Sequence, residues 1–374
     1  MGIIFMVFGL IMFVGLVVIH ELGHFVAARR GGVDVDEFGI GFPPKAWGKK
    51  MKSGFLFTLN WLPLGGFVKL KGEHDADKQK GSYGAANLWV KTKIMLAGVV
   101  MNLLVAVLLF TIIAAIGMPK LVDDQFSVGS DTNIVRNDVL VGAVSQGSPA
   151  ESIGLEQRDE LVSITGGETT KEVASAESLP EITEQFAGQT VVVTYARDGQ
   201  QQSQETTLLS KEEVDASQDS EDPKGYLGVV PIEYTVQRST WSAPIVGVGT
   251  TIQFAELTLK GVWSAISALF QGDTTTASSQ VSGPVGVFVL IKDGSDLGIQ
   301  FILMIIAVIS LTLAIMNALP IPALDGGRLF VTYVYRILGK KLTPKAEEVI
   351  HGTGFAALML LFVLITIVDI RRFF

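Results

Sequence analysis

The chain of 374 residues has no cysteine and only four histidines. It therefore has no disulfide framework, and a metal ion has to be held by nitrogen and oxygen ligands. Charged residues are also scarce, at 18% of the chain, and the net charge of −8 comes with no basic stripe, so nothing indicates a nucleic-acid partner. With 48% hydrophobic residues and a positive mean hydropathy, the composition predicts a membrane protein.

Four apolar stretches are each close to the roughly 20 residues that a helix needs to cross a bilayer. We expect spans at about residues 3–24, 94–116, 297–319 and 354–370. The first stretch lacks the basic residues that open a signal peptide and is longer than a signal peptide's apolar region. It is therefore interpreted as a span that is retained.

The distribution of charge predicts the orientation of these spans. Residues 25–93 contain 12 Lys and Arg against 6 Asp and Glu, and residues 322–352 contain 5 against 3. Residues 118–296 contain 10 against 26, a local net charge of −16. Because basic loops stay on the cytoplasmic side, we expect the two basic segments there, and the acidic segment and both termini outside.

The pentapeptide His20-Glu21-Leu22-Gly23-His24 stands at the end of the first span. Two histidines four positions apart lie on one helix face, where both imidazoles reach one metal ion, and Glu21 is then placed to take a proton from water. The plain alternative is a pair of histidines that caps a membrane helix at the interface. Ionisable groups at membrane depth are costly and mostly functional, which favours a metal site with Glu21 as the catalytic residue.

A third ligand is predicted at the end of the third span. There Pro320 and Pro322 break the helix, which a bilayer tolerates only where neighbouring structure satisfies the freed backbone groups. Asp325 follows on the same side of the membrane as the two histidines, and a catalytic zinc needs three protein ligands and one open position. His20, His24 and Asp325 satisfy that count, so we expect one catalytic Zn²⁺ between the first and third spans.

Between the first two spans, at about residues 34–73, the sequence predicts a membrane-associated β-hairpin on the cytoplasmic side. The stretch 38–44 is broken by glycine and proline and is typical of turns. The stretches 54–61 and 66–71 are typical of strands, joined by a turn near Gly65.

The second of these strands carries Phe67 and Val68. Its exposed edge can add a substrate strand, or the hairpin can simply pack under the helices, and the pattern alone leaves both open. His74, which follows between Glu73 and Asp75, is interpreted as part of a solvated loop rather than as a second metal site.

In the second span, Gly98 and Asn102 share one helix face. The glycine lets a neighbouring helix approach closely and the amide can hydrogen-bond there, a pattern that helix packing alone also explains.

Residues 118–236 have the composition of a soluble β-rich domain. The turn Gly147-Ser148-Pro149-Ala150 leads into a short helix, and Asp198-Gly199 predicts a hairpin turn. The segment resembles a PDZ domain of the bacterial protease type, although Arg158-Asp159 and Ile164-Thr165-Gly166 depart from that family's Gly-Asp and Ile-Asn-Gly.

The loop around Tyr226, Leu227 and Gly228 resembles the carboxylate-binding loop of such domains. Its backbone N–H groups would then capture a C-terminal peptide. The alternative is a plain strand that closes the domain and binds nothing.

Residues 237–296 are expected to form an amphipathic juxtamembrane helix and a linker. The apolar stretch 240–271 is interrupted by Glu256 and Lys260, which favours a helix at the interface over a fifth span. A fifth span would place Asp325 on the opposite side of the membrane from His20.

Three of these motifs together resemble the site-2 protease family, the intramembrane zinc metalloproteases of peptidase family M50, in its bacterial branch. The resemblance covers nearly the whole chain and rests on His20-Glu21-x-x-His24, Gly98-x-x-x-Asn102 and Asn317-x-x-Pro320-x-Pro322-x-Leu324-Asp325-Gly326. It implies a polytopic α-helical protein of the bacterial inner membrane, with the active site toward the cytoplasm and one inserted PDZ-like extracytoplasmic domain. The expected division of the chain is 1–117, 118–236, 237–296 and 297–374.

The resemblance also implies a reaction. The substrates would be single-pass transmembrane proteins, cut within the bilayer in regulated intramembrane proteolysis, such as clearing of an anti-sigma factor or of remnant signal peptides. Asn317 is the stronger candidate for hydrogen-bonding the substrate backbone or the developing oxyanion, and Asn102 is the weaker one.

Two other classes of protein are weighed on the residues. A membrane adaptor would bind partners through the PDZ-like domain around a structural zinc ion, but it would not need Glu21. A metal transporter would need a charged pathway through the spans, which the sequence lacks.

Overall fold

The computed structural model describes residues 2–197, 199–218, 223–273, 275–276 and 282–374. The described helices are α1 (Gly2–Arg30), α2 (Leu88–Ile116), α3 (Pro149–Ser152), α4 (Ser178–Gln185), α5 (Lys211–Ser217), α6 (Ala243–Gln271), α7 (Pro284–Gly294), α8 (Ile299–Ala318), α9 (Asp325–Ile337) and α10 (Pro344–Phe373). The described strands are β1 (Val35–Lys50), β2 (Leu56–Leu70), β3 (Met118–Pro119), β4 (Asn133–Val144), β5 (Glu160–Gly166), β6 (Thr169–Glu172), β7 (Thr190–Arg197), β8 (Gln200–Thr207) and β9 (Val229–Arg238).

Contacts within the chain divide it into two compact units. The first comprises residues 1–118, 125–128 and 239–374. The second comprises residues 119–124 and 129–238. The membrane helices belong to the first unit and the larger β-sheet to the second.

Four helices among the described residues are long and apolar enough to cross a membrane, as the sequence predicts: α1, α2, α8 and α10. Two of them begin well before their apolar stretches. The side chain of Asn87 caps α2 by accepting the N–H of Val90, and the side chain of Thr343 caps α10 by accepting the N–H of Ala346. Hydropathy therefore marks the apolar part of each span, whereas the capping residues mark where the helix begins.

Helix α6 is not among these four helices, in agreement with the expectation of no fifth span at 240–271. Its first half packs against α2, where Gly247 lies against Thr111 and the rings of Phe110 and Phe254 are 5.7 Å apart. This half of α6 is therefore part of the helical core and not an independent surface helix.

The core of the first unit lies between α1, α2 and α8. It is built around side chains that are almost fully buried, among them Leu16, Phe110, Ile113, Ile302 and Ile306. Within a bilayer such packing stabilises the helices through van der Waals contact and not through exclusion of water. The packing holds α1, which carries the histidine pair, directly against α2.

The predicted hairpin between 54–61 and 66–71 is wrong in its pairing. Strand β1 lies between these two segments of β2, so that Phe38 is paired with both Phe57 and Val68. The segment 66–70 is consequently an edge of this sheet. Strand β1 also runs through the stretch 38–44, where the sequence predicts turns.

Two glycines explain why the pairing could not be foreseen from alternation alone. Gly41 and Gly65 have φ values of +79° and +112°, which let β1 and β2 bend sharply while each continues as a strand. A side chain on Gly41 would also meet the carbonyl oxygen of Leu62.

The second unit is a β-rich domain. Its strands lie in the order β9-β4-β5-β7-β8, with β6 beside β5. Strands β7 and β8 pair antiparallel, which confirms the predicted hairpin, although Asp198 of its turn lies outside the described residues. The buried core includes Val139, Leu161, Ile164 and Val193.

Candidate metal centre

Helix α1 places His20 and His24 on one buried face, one turn apart. The two residues are 7% and 6% exposed. Their face is pressed against α2, since a Cβ on Gly23 would lie only 2.6 Å from the carbonyl oxygen of Ala97. Glycine at this position therefore lets α2 approach the histidines closely.

The two imidazoles converge on Asp325, the first residue of α9. The Nε2 atoms of His20 and His24 lie 3.0 and 3.1 Å from Oδ2 of Asp325, and 3.1 Å from each other. One potential ligand atom from each residue thus lies within 4.8 Å of the other two. The structure brings together the three residues that the sequence singles out as a ligand set.

The outer nitrogens of both rings have partners on α2. Nδ1 of His24 donates to the carbonyl oxygen of Ile94 at 2.7 Å, which leaves its Nε2 free to bind a metal ion. A hydrogen bond of this kind commonly fixes the tautomer and orientation of a metal-binding histidine.

Asn102 is the partner of the other histidine. It is 1% exposed, and its Nδ2 lies 3.3 Å from Nδ1 of His20. Its Oδ1 is buried and has no hydrogen-bond partner among the described residues. If His20 bound an ion through Nε2, its proton would move to Nδ1, and a half-turn of the amide would present Oδ1 as the acceptor.

Gly98 keeps the space beside the two Nε2 atoms open. A Cβ on this residue would lie 2.5 Å from Nε2 of His20 and 2.5 Å from Nε2 of His24. The donor types, the unpartnered amide oxygen and the open space at Gly98 fit a zinc ion with three protein ligands and one open position.

Asp325 reaches the histidines because the chain turns sharply between α8 and α9. Gly327 lies against the carbonyl oxygen of Ile321, at a separation that no side chain would permit. Ala323 has a φ of +80°, a left-handed conformation that is uncommon for a residue with a side chain. The proline-broken stretch is therefore an ordered turn that delivers Asp325 to the site.

Glu21 lies beside the edge of the β1–β2 sheet. The backbone N–H of Val68 faces its carboxylate, and a Cβ on Gly66 would lie 3.4 Å from its Cγ. Two residues further along β2, the N–H of Leu70 donates to Oε1 of Glu73 at 2.9 Å. Both N–H groups point to the edge of β2 that faces away from β1.

The remaining predicted residues occupy varied surroundings. Nδ2 of Asn317 donates to the carbonyl oxygen of Leu313 within its own helix at 3.0 Å. The ring of Phe67 lies over Gly39 of β1. Neither Asn317 nor Phe67 takes part in the close contacts between His20, His24 and Asp325.

The loop with Tyr226, Leu227 and Gly228 belongs to the second unit. The carbonyl oxygen of Leu227 accepts the N–H of Ala150, and that of Gly228 accepts the N–H of Ser145. Leu227 is buried in the core of that unit.

Sequence reasoning misses a cavity of about 380 Å³ that adjoins Asp325. Its lining includes His74, Arg328, Glu347 and His351. Nδ1 of His74 lies 3.7 Å from Oε2 of Glu347, so the loop that carries His74 contacts α10. Because the chain has only four histidines, each of them merits a search for partners. The sequence alone, however, does not show that His74 and Glu347 are neighbours.

Comparisons with known proteins give one consistent result. Residues 8–361 match peptidase family M50. A protein of Clostridium perfringens (strain 13 / Type A) that bears the name "Putative zinc metalloprotease" is 30% identical over 369 residues, which cover 98% of this chain and 98% of the relative. The zinc metalloprotease RasP of Geobacillus kaustophilus is 26% identical over an alignment of 447 positions, which covers 98% of this chain and 97% of the relative.

Proposed function

The chain belongs to peptidase family M50 and is a membrane zinc metalloprotease, and we propose that it cuts transmembrane segments of other proteins inside the bilayer. One observation carries this proposal. His20, Glu21 and His24 belong to a helix of 29 residues that is itself apolar enough to span the membrane. A peptide bond that these residues cut would therefore lie at membrane depth.

His20, His24 and Asp325 would hold the zinc ion, with the fourth position open. When bound, the ion supplies Lewis acidity, which polarises a peptide carbonyl and makes water a stronger acid. Other residues of the chain orient these ligands. The carbonyl oxygen of Ile94 orients His24, and Asn102 orients His20. This contact favours an orienting role for Asn102 over the substrate contact expected from the sequence.

Glu21 is the proposed general base. Its carboxylate takes a proton from the attacking water and later passes that proton to the leaving nitrogen. The backbone N–H of Val68 faces this carboxylate and helps to hold it next to the histidine cluster.

The edge of β2 is the proposed place where substrate is held. A helical peptide bond is shielded by its own hydrogen bonds, so the substrate has to unwind and become extended before it is cut. An extended segment can then pair with the edge formed by 66–70, which includes Phe67 and Val68 and approaches Glu21 at Gly66. Asn317 is proposed to hydrogen-bond the substrate backbone or the developing oxyanion.

The proposed location is the bacterial cytoplasmic membrane, with the metal centre toward the cytoplasm. Residues 25–93 and 322–352 carry the excess of Lys and Arg that supports this orientation. The β-rich unit, which is strongly acidic, would then lie outside.

The β-rich unit is proposed to be PDZ-like and to select substrates. It would exclude intact proteins by size, or bind through Tyr226, Leu227 and Gly228 a C-terminus that an earlier cut has exposed. Either role makes the enzyme the second of two successive proteases. Suitable substrates are membrane-bound anti-sigma factors and remnant signal peptides, an assignment that rests on the family.

The test is Glu21→Gln in the purified, reconstituted protein. Single-span proteins captured by this variant are identified and then offered to the wild type as substrates. We expect the variant to keep its zinc and to cut these substrates at least about 100-fold more slowly, because proton transfer typically contributes that much or more.

The matched control is Glu212→Gln, a change at an exposed carboxylate on α5. It should leave cleavage unchanged. Undiminished cleavage by Glu21→Gln would refute the role of Glu21 and revive the adaptor class.

A further inference from the structure

The turn that delivers Asp325 is held by a residue of the last span. Ala323, two positions before Asp325, adopts its left-handed conformation with a φ of +80°. Its N–H donates to Nδ1 of His351 at 3.2 Å. His351 lies in the second turn of α10. A conformation of this kind persists only where its surroundings enforce it.

The chemistry of this hydrogen bond is unambiguous. A backbone N–H can only donate, so Nδ1 of His351 is the acceptor, and the neutral ring carries its proton on Nε2. The turn thus requires an acceptor at the δ position of residue 351, and an acceptor one atom further out would not replace it.

The same face of α10 touches the turn a second time. Gly354 lies three residues after His351, and a Cβ there would lie 2.6 Å from the carbonyl oxygen of Pro322. Residues three apart share a helix face, so His351 and Gly354 together seat the turn against α10.

The position of α10 is itself set by polar contacts near its two ends. Its buried residues are Glu347 and Asp369. Glu347 accepts the N–H of Asp75 at 2.9 Å, and Oδ2 of Asp369 accepts the N–H groups of Gly283 and Gly286 at 2.9 and 2.7 Å. Most large apolar side chains between these ends, such as Leu360, are exposed. Among the described residues, α10 is therefore placed by its anchored ends, with His351 close to one of them.

We propose that His351 is a positioning residue for the metal centre. It fixes the turn at 320–324 so that Asp325 meets His20 and His24, and it thereby makes zinc binding depend on the placement of α10. This inference rests on the proposed ligand set.

The test measures zinc affinity rather than proteolysis. The full chain is purified in detergent, and competition with a metal chelator is compared between the wild type and three variants. His351→Asn places Oδ1 where Nδ1 lay, His351→Gln moves the acceptor outward, and His351→Leu removes it. We expect Asn to bind zinc within about 3-fold of the wild type, and Gln and Leu to bind it roughly 10- to 100-fold more weakly, the usual effect of losing an outer partner of a metal site.

Thr353→Val is the matched control on α10. Among the residues that the structure describes, the hydroxyl of Thr353 bonds only to carbonyl oxygens of its own helix, at Val349 and Ile350, so its loss should leave zinc affinity unchanged. Equal loss of affinity in Thr353→Val would overturn the assignment, because it would show a general effect of disturbing α10. So would normal affinity in His351→Leu, or an Asn variant as weak as the Leu variant.

A parallel measurement on Asp325→Asn separates this inference from the function it rests on. Unchanged zinc affinity in Asp325→Asn would refute the proposed ligand set itself. Weakened affinity there, combined with normal affinity in all His351 variants, would refute only the positioning role.

Discussion

Gly98 on α2 lies so close to His24 on α1 that a Cβ on the glycine would come within 2.5 Å of Nε2 of the histidine. It would come equally close to Nε2 of His20. At Gly98 the helix α2 therefore presents bare backbone to the histidine pair, which leaves the space beside both Nε2 atoms open for the ion that they bind.

We predict that Gly98→Ala abolishes zinc binding. Alanine favours a helix over glycine by about 1 kcal/mol, so α2 itself should not suffer. The added methyl group would instead occupy the space next to both Nε2 atoms. Zinc content after purification is the measurement, and Gly15→Ala on α1 is the control, since nothing in the described part of the chain, apart from its chain neighbours and its own helix backbone, lies within 4 Å of a Cβ there. Full zinc content in Gly98→Ala would refute this account of the site.

Asn102 should be replaceable by an acceptor but not by an apolar residue. Asn102→Asp offers a carboxylate oxygen to Nδ1 of His20, whereas Asn102→Leu leaves that nitrogen buried without a partner. We expect zinc affinity to fall roughly 10- to 100-fold in the Leu variant and to be largely retained in the Asp variant. Chelator competition measures both, and equal affinities would contradict the orienting role.

Arg197 in the β-rich unit should not be replaceable by lysine. Its guanidinium donates two hydrogen bonds to the buried carboxylate of Asp159, from Nε at 2.7 Å and from Nη2 at 2.6 Å. It also donates to the carbonyl oxygen of Gly154. An ammonium group is a single point charge and cannot reproduce this fork. We expect Arg197→Lys to destabilise this unit by about 2 kcal/mol, measured as faster hydrogen exchange in β5 and β7. Exchange rates equal to the wild type would contradict the prediction.

The orientation can be measured with unusual clarity because the chain has no cysteine of its own. We predict that a membrane-impermeant thiol reagent added outside the cell labels Gln218→Cys and does not label Lys340→Cys. Both positions are exposed in the structure, so accessibility to solvent is not in question. Labelling of Lys340→Cys from outside would reverse the assignment of the basic segments to the cytoplasm.

The convergence of His20, His24 and Asp325 was predictable because each residue follows from a rule that can be applied to the sequence alone. The spacing of His20 and His24 predicts a shared helix face, and both imidazoles indeed lie within 3.1 Å of Oδ2 of Asp325. The four spans follow from hydropathy in the same way. Asp325 was identified by sidedness and by the ligand count of zinc, two arguments that need no tertiary structure.

The features that the sequence does not predict depend on contacts between distant segments of the chain. Alternation predicts that 54–61 and 66–71 are strands, but it cannot show that β1 lies between them. Likewise, the pattern on α2 places Asn102 on a helix face without revealing that its neighbour is His20. His351 had no local signal at all, because its partner is a backbone N–H in a turn on another element.

The edge of β2 has one further consequence, for solubility during biogenesis. An unpaired strand edge normally invites a second chain to add to the sheet, which is a common start of aggregation. The N–H of Leu70, which would receive such a strand, already donates to Glu73, and the carboxylate of Glu21 lies at the N–H of Val68. The two carboxylates therefore disfavour non-specific pairing at this edge, because a chain that pairs there has to displace them first.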